Sequence, residues 1–263
     1  MSSPTPGAAA PELLERRHDG VLWLTINREE RRNAISPGVL AGLADALTRA
    51  DADRSLRAVV LTGVGDKAFC AGADLQSGKS FKFDYAEPNQ AIANLFRLAR
   101  RLAVPLVARI NGACMAGGMG LAAMCDLAVA APHAKFGLPE VKIGLFPAQV
   151  LSVLNGLIGP RALSELCITG EPIDAQQALA LGLVNRVCDD LDAGVQALLD
   201  RVLDKSPAAI RRGLYLMKRI GAMSFEESMA FTESQIGLFA LTEDAAEGQA
   251  AFREKRAPRW SGR

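Results

Sequence analysis

Short apolar runs rich in β-branched residues alternate along the first half of the chain with segments whose apolar positions recur every three or four residues. Val21-Leu22-Trp23-Leu24-Thr25-Ile26, Ala58-Val59-Val60-Leu61-Thr62 and Leu106-Val107-Ala108-Arg109-Ile110 have the length and composition of strands, and Asp126-Leu127-Ala128-Val129-Ala130 adds a fourth. Between the first two, Ser36-Pro37 supplies an N-cap followed by proline at the first helical position, after which Leu40, Leu43 and Leu47 share one face. Ile92, Leu95, Phe96 and Ala99 predict a further helix, ended before Pro105. Such alternation predicts an α/β fold. From about residue 192 the strand signals stop, and Pro207 to Arg219, Ser224 to Ala240 and Glu243 to Lys255 all read as helices. The expected organisation is a flexible tail over residues 1–12, a core over 13–205 and a helical lobe over 206–263.

Composition narrows the function classes. The 263 residues suffice for one sizeable core, and 49% hydrophobic with 22% charged content is ordinary for a globular domain. With 30 basic against 29 acidic residues the formal charge is +1, which gives no footprint for nucleic acid. Five cysteines, at 70, 114, 125, 167 and 188, form no CxxC pair, and His18 and His133 are the two histidines, so a reduced, metal-free protein is expected. The opening MSSPTPGAAAPELLERR has no apolar signal core and carries an acid before its first arginine. A cytoplasmic protein without a membrane partner is expected.

Residues 111 to 126, NGACMAGGMGLAAMCD, form a glycine-rich turn opening a helix, with Gly120 where a helix would rather carry a side chain. Glycine in that setting costs about 1 kcal/mol relative to alanine, so it marks close packing or space kept for something else. Two phosphate-binding patterns nearby fail on context. Ala73 to Ser80 fits a relaxed P-loop, but its strand ends near Gly63 and Pro88 follows soon after. Gly118 to Ala123 fits G-x-G-x-x-A, yet lies past its strand, far from the first βα unit, with no acid about 20 residues on. No G-x-S-x-G elbow is present, and Cys70 and Cys114 read as small buried residues rather than nucleophiles. What remains are two loops of small residues, 67–75 and 111–120, whose main-chain N–H groups can approach a ligand closely, the second leading into a helix N-terminus. Two such amides could hold an oxyanion; tight turns without chemistry are the alternative.

Taken together and in order, Asn27-Arg28 with Arg32-Asn33-Ala34, KAFCAGADL, NGACMAGGMGLAAMCDLAVA, AKFGLPEVKIGLFP, GEPIDAQQALALGLVNRV and EGQAAFREKRAPRWSGR resemble the crotonase, or enoyl-CoA hydratase/isomerase, superfamily over nearly the whole chain. The resemblance implies a crotonase-like spiral of ββα units with a C-terminal helical lobe, assembly as a homotrimer or a dimer of trimers, and an acyl-CoA thioester as substrate. Coenzyme A is then part of the substrate, and no separate cofactor is implied. By position, the backbone N–H groups of Ala73 and Gly117 match the pair that binds the thioester oxygen as an enolate develops, where one preorganised donor is typically worth about 3 kcal/mol. Lys67 and the Ala71 backbone match contacts to the nucleotide part of CoA, while Phe252 and Lys255 match positions that reach a neighbouring subunit's CoA.

The acid/base position departs from the familiar straight-chain hydratases, which carry two glutamates. The second survives as Glu140 in Leu138-Pro139-Glu140-Val141, where an apolar run would raise its pKa, and the first falls on Gly120. Glu140 is therefore the expected catalytic residue, and Gly120 the place of a missing carboxylate that leaves space in the substrate pocket, with helix packing as the alternative. One glutamate suits either hydration of a 2-enoyl-CoA or 3-enoyl to 2-enoyl isomerisation. The GG-x-GL turn and the E-V-K-x-GL-x-P segment resemble hydratases of branched or carboxylated enoyl-CoAs, the methylglutaconyl type, and tip the reading toward hydration. A non-catalytic acyl-CoA binder is the third reading, since fold alone does not fix activity.

Overall fold

Six strands make the larger of two sheets, in the order β1 (Leu13–His18), β2 (Val21–Ile26), β3 (Ala58–Gly63), β5 (Leu106–Ile110), β7 (Leu127–Ala130) and β10 (Arg186–Val187). The first pair is antiparallel and the rest are parallel. The smaller sheet has the order β4 (Ala68–Cys70), β6 (Ala113–Met115), β8 (Lys135–Gly137) and β9 (Ile173–Asp174), with only β9 antiparallel to its neighbour. The computed structural model describes residues 10–75, 86 and 90–263. From β3 to β8 each turn of the chain gives one strand to the large sheet, one to the small sheet and then a helix. Thus β3 and β4 precede α2 (Ala91–Arg101), and β5 and β6 precede α3 (Gly117–Ala123). The expected spiral of ββα units is the observed architecture.

Alternation along the strands sorts the core into two faces. Leu22, Leu24, Ile26, Val59 and Leu61 point toward α1 (Pro37–Ala52), where Val39, Leu43 and Leu47 meet them. Val21, Ala58, Val60, Val107 and Val129 point the other way, onto Leu191, Val195, Leu198 and Leu199 of α7 (Leu191–Leu203). Because both faces are covered, every residue of β3 is buried. The inner end of the expected tail, at Pro11 and Glu12, is bonded to the core. Pro11 O accepts from Asn27 Nδ2 at 3.0 Å, Glu12 O accepts from Asn27 N at 2.8 Å, and the Glu12 carboxylate pairs with Arg28 Nε at 2.9 Å. Residues 1–9 lie outside the described residues.

The C-terminal lobe consists of α8 (Pro207–Ile220), α9 (Phe225–Ala240) and α10 (Glu243–Glu254). Two cations of α8, seven residues apart and so on one face, fasten it to the core. Arg211 Nη2 donates to Asp53 O at 2.7 Å and Leu56 O at 3.1 Å, just past the end of α1. Lys218 Nζ donates to Ala99 O at 3.1 Å and Leu102 O at 3.0 Å at the end of α2, and pairs with Asp126 at 2.9 Å. Each cation thus meets the carbonyl-rich, negative end of a core helix. Among the described residues no helix is long and apolar enough to cross a membrane, and no group of three His, Cys, Asp or Glu side chains is placed to hold a metal.

Candidate active site

The three parallel strands of the small sheet end side by side. Beyond Cys70 of β4 comes Ala71 to Asp74, beyond Met115 of β6 comes Ala116-Gly117, and beyond Gly137 of β8 comes Leu138 to Glu140. Adjacent strands lie about 4.8 Å apart, so Ala73, Gly117 and Glu140 are gathered at one sheet edge by topology alone. Ligands in α/β proteins bind outside such carboxyl ends.

Two buried asparagines shape the first of these segments. Asn33 Nδ2 donates to Val64 O at 3.0 Å and Ala68 O at 2.7 Å, and Asn111 Nδ2 donates to Gly65 O at 2.7 Å and Ala68 O at 3.2 Å. Past β4, Ile35 N donates to Gly72 O at 2.7 Å and Ile35 O accepts from Asp74 N at 3.0 Å. This bridge turns the N–H of Ala73 away from Ile35, and no acceptor for it is found among the described residues. The next side chain is anchored as well: Asp74 accepts from Arg28 Nη2 at 2.7 Å, with Arg28 also donating to Ala34 O at 2.7 Å. The Ala73 amide is therefore held from both sides.

Gly117 opens α3, so its N–H has no intrahelical acceptor. The residue before it, Ala116, stands at φ 51° and ψ −122°, an arrangement that costs a non-glycine residue about 1–3 kcal/mol. It is held there by Ala116 N donating to Gly137 O at 2.9 Å and Met119 N donating to Ala116 O at 2.9 Å. The two donor segments touch. A Cβ at Gly72, which has φ +94°, would lie 2.7 Å from the Ala116 Cβ and 3.4 Å from Gly117 N. Gly118 fits for a related reason, since a Cβ there would collide with Cys70 O. At seven residues α3 is too short for a strong macrodipole, and the donor is the local amide.

Glu140 sits in a 3₁₀ turn, Pro139–Ile143, that proline starts and Gly144 ends in a left-handed cap. Leu138, fully buried, anchors the turn. The carboxyl group is half-buried; its Oε2 atom is enclosed and has no hydrogen-bond partner among the described residues. Burial pushes its pKa above the usual glutamate value, and a hydrogen bond from its own amide only partly opposes this. Exposed Ile143 and Phe146 follow Glu140 and give this edge an apolar border.

The other expected residues divide. Lys67 is exposed on the turn before β4, and the Ala71 N–H is committed to Arg32 O at 3.1 Å, which leaves only its carbonyl for a ligand. Phe252 is 86% exposed on α10, and Lys255 caps that helix at φ 53°. Cys70 and Cys114 are buried, with burial pushing the Cys70 thiol up to about 12 and Cys114 well above its ordinary value, so neither is a nucleophile. Of the P-loop pattern, residues 76–80 lie outside the described residues. Gly120 requires a correction: it is buried, and a Cβ there would lie 2.6 Å from Phe96 Cζ and 3.3 Å from Val150 Cγ2. The space expected at a missing carboxylate is filled by a phenyl ring. Arg28, Asn33 and Asn111 are the positioning residues that sequence reasoning did not assign. A charged or amide residue directly after an apolar strand was the available signal, as in Ile26-Asn27-Arg28 and Ile110-Asn111.

A family model described as enoyl-CoA hydratase/isomerase matches residues 16–263. A 2,3-dehydroadipyl-CoA hydratase of Escherichia coli is 34% identical over 96% of this chain and 99% of its own length. A crotonyl-CoA hydratase of Syntrophomonas wolfei is 32% identical over 94% of this chain and 97% of its own. The crystal structure of an enoyl-CoA hydratase from Mycobacterium smegmatis superposes with a TM-score of 0.88 at 36% identity, covering 95% of this chain and 99% of that one. Matched by that family model over nearly its whole length and by relatives at 32–34% identity, the protein belongs to the enoyl-CoA hydratase/isomerase family of enzymes.

Proposed function

We propose that the protein adds water across the double bond of a 2-enoyl-CoA. The observation that carries this reading is the meeting of two amide-bearing turns and one desolvated glutamate at the ends of three adjacent strands. The thioester oxygen accepts from the N–H groups of Ala73 and Gly117, which strengthen as negative charge moves onto it. Glu140 takes a proton from water as the water oxygen bonds to C3, and the electron pair of the double bond moves through C2 to the thioester oxygen. The same carboxyl group then returns its proton to C2, so one carboxylate serves both steps. Lys67 and the Ala71 carbonyl hold the nucleotide end of CoA. The exposed Phe225, Ile236, Leu241 and Phe252 on the lobe support a homotrimer in which Phe252 and Lys255 approach a neighbour's CoA. Similarity to the dehydroadipyl-CoA enzyme supports a carboxylated acyl chain.

The reaction is tested by the ultraviolet absorbance of the enoyl thioester. Hydration removes the chromophore, and simple binding leaves it intact, which would refute enzymatic turnover. A second reading, isomerisation of a 3-enoyl-CoA by proton transfer from C2 to C4, is favoured by there being a glycine at 120 and so a single carboxylate in the matched motifs. It creates the chromophore instead of removing it.

A further inference from the structure

Glu12 stands just ahead of β1, inside the span expected as tail, yet its carboxylate has a built seat. Its backbone is fixed first, since Glu12 O accepts from Asn27 N at 2.8 Å, beside Arg28. One carboxylate oxygen then meets Arg28 Nε at 2.9 Å, and the other accepts from Ser36 Oγ at 2.5 Å. Room for it is kept by Gly38 in the first turn of α1, where an added Cβ would collide with Glu12 Oε2. Negative charge is favourable at that helix start.

Both partners of this carboxylate lead to Ala73. Arg28 is nearly enclosed, with 12% of its side chain exposed, and its other two nitrogens donate to Asp74 Oδ2 and Ala34 O, each at 2.7 Å. Asp74 follows Ala73 directly. Ser36 follows Ile35, whose N–H donates to Gly72 O at 2.7 Å and whose carbonyl accepts from Asp74 N at 3.0 Å, one on each side of Ala73. A single carboxylate therefore ties together the two supports of one amide. Without it, Arg28 keeps Asp74 but loses the contact that orients its Nε edge, and Ser36 loses its acceptor.

We infer that Glu12 is a positioning residue: by fixing Arg28 and Ser36 it sets the direction of the Ala73 N–H, and so governs turnover through other residues. The inference rests on the oxyanion role given to Ala73 in the hydratase reading above. None of the groups that Glu12 bonds is one proposed to hold CoA, so substrate binding is spared. The transition state is not spared, because a backbone donor contributes fully only when it is aimed where the charge develops. Glu12 thus changes kcat without changing KM.

Glu12→Ala is expected to lower kcat on crotonyl-CoA about tenfold, less than the about 10²–10³-fold that follows outright loss of a donor, with KM changed less than about twofold. Glu12→Gln keeps the length and an acceptor for Arg28 but no charge, and should fall between wild type and Glu12→Ala. The direct readout is the infrared difference spectrum of bound butanoyl-CoA labelled with ¹³C at the thioester carbon, a saturated analogue with no double bond to hydrate. Hydrogen bonding lowers the carbonyl stretching frequency, and the lowering should be largest in wild type and smallest in Glu12→Ala. The position of the band reports bound ligand alone, so a loss of folded protein does not move it. Equal band positions in wild type and the folded variants, or an unchanged kcat in them, overturns the inference. A raised KM with unchanged kcat also overturns it, by placing Glu12 in binding. If Glu12→Ala does not fold, Glu12→Gln decides by the same criteria. A wild-type enzyme that lowers the band but does not hydrate crotonyl-CoA would instead refute the hydratase reading, while the band positions of the variants still decide the role of Glu12.

Discussion

Replacing Glu140 with glutamine is expected to make the protein more stable while nearly abolishing turnover. The carboxylate has one enclosed oxygen with no partner among the described residues, and an unsatisfied buried polar atom costs about 1–3 kcal/mol, more when charged. Glutamine keeps a polar atom but discards the charge, so about 1 kcal/mol should be recovered, or about 2–4 °C in Tm for a chain of this size. The pH dependence has a definite sign. Burial raises the folded-state pKa above the unfolded value of 4.5, so the folded protein holds the proton more tightly. The wild type therefore loses stability as pH rises from below 4.5 through the raised value, and the penalty is fully present above it. Glu140→Gln should exceed wild type in Tm at pH 8 and match it at pH 4. The loss in kcat should be about 10²–10⁴-fold, or about 2.7–5.5 kcal/mol of barrier. Thermal melts at the two pH values and at equal protein concentration, with kcat measured on crotonyl-CoA, check both arms. A variant that is less stable than wild type at pH 8, or that keeps more than about a tenth of kcat, would refute the reasoning.

Wild-type kcat should fall as pH drops through the raised pKa of Glu140, at a higher pH than an ordinary glutamate would give, and a pH profile of kcat measures this. Ala73→Pro, which deletes the donor, should lower kcat about 10²-fold or more, whereas Ala73→Ser, which keeps it, should lower it far less; equal losses in two folded variants would sink the backbone role. Gly120→Ala should destabilise by about 1–3 kcal/mol because its methyl group meets the Phe96 ring, and Phe96→Leu in the same chain should restore most of the loss, as read by denaturant titration. Lys218→Met should lower stability by about 3 kcal/mol or more by leaving Asp126 buried and unpaired, so an unchanged denaturation midpoint would remove the ion pair from the account.

The strands of the large sheet are legible because helices cover both faces, which makes runs such as Ala58 to Leu61 continuously apolar. β1 escapes the same reading as a largely exposed edge strand, Leu-Leu-Glu-Arg-Arg-His. The strands that carry the site are three residues long, as in Ala68-Phe69-Cys70 and Lys135-Phe136-Gly137, and three residues hold no measurable period. Their motifs are legible only as a resemblance, which leads to Ala73, Gly117 and Glu140. The support beneath them stays hidden. Asn33, Asn111 and Arg28 act on backbone oxygens or side chains more than thirty residues away, and nothing local in the sequence marks those partners. Gly120 shows the limit from the other side: the motif marks its place, but the ring that fills the space belongs to another helix.

The fastening of α8 has a mechanical consequence. A body pinned at one point can swivel about it, whereas pins two helical turns apart leave no free rotation in their plane. Arg211 and Lys218 are such pins, and each is seated on the end of a different core helix. The bearing of the lobe on the core is therefore fixed by the spacing of α1 and α2. The exposed apolar residues of α9 and α10 are carried on that lobe, so their orientation is set by the core, and a change in that spacing would be transmitted to them as a tilt.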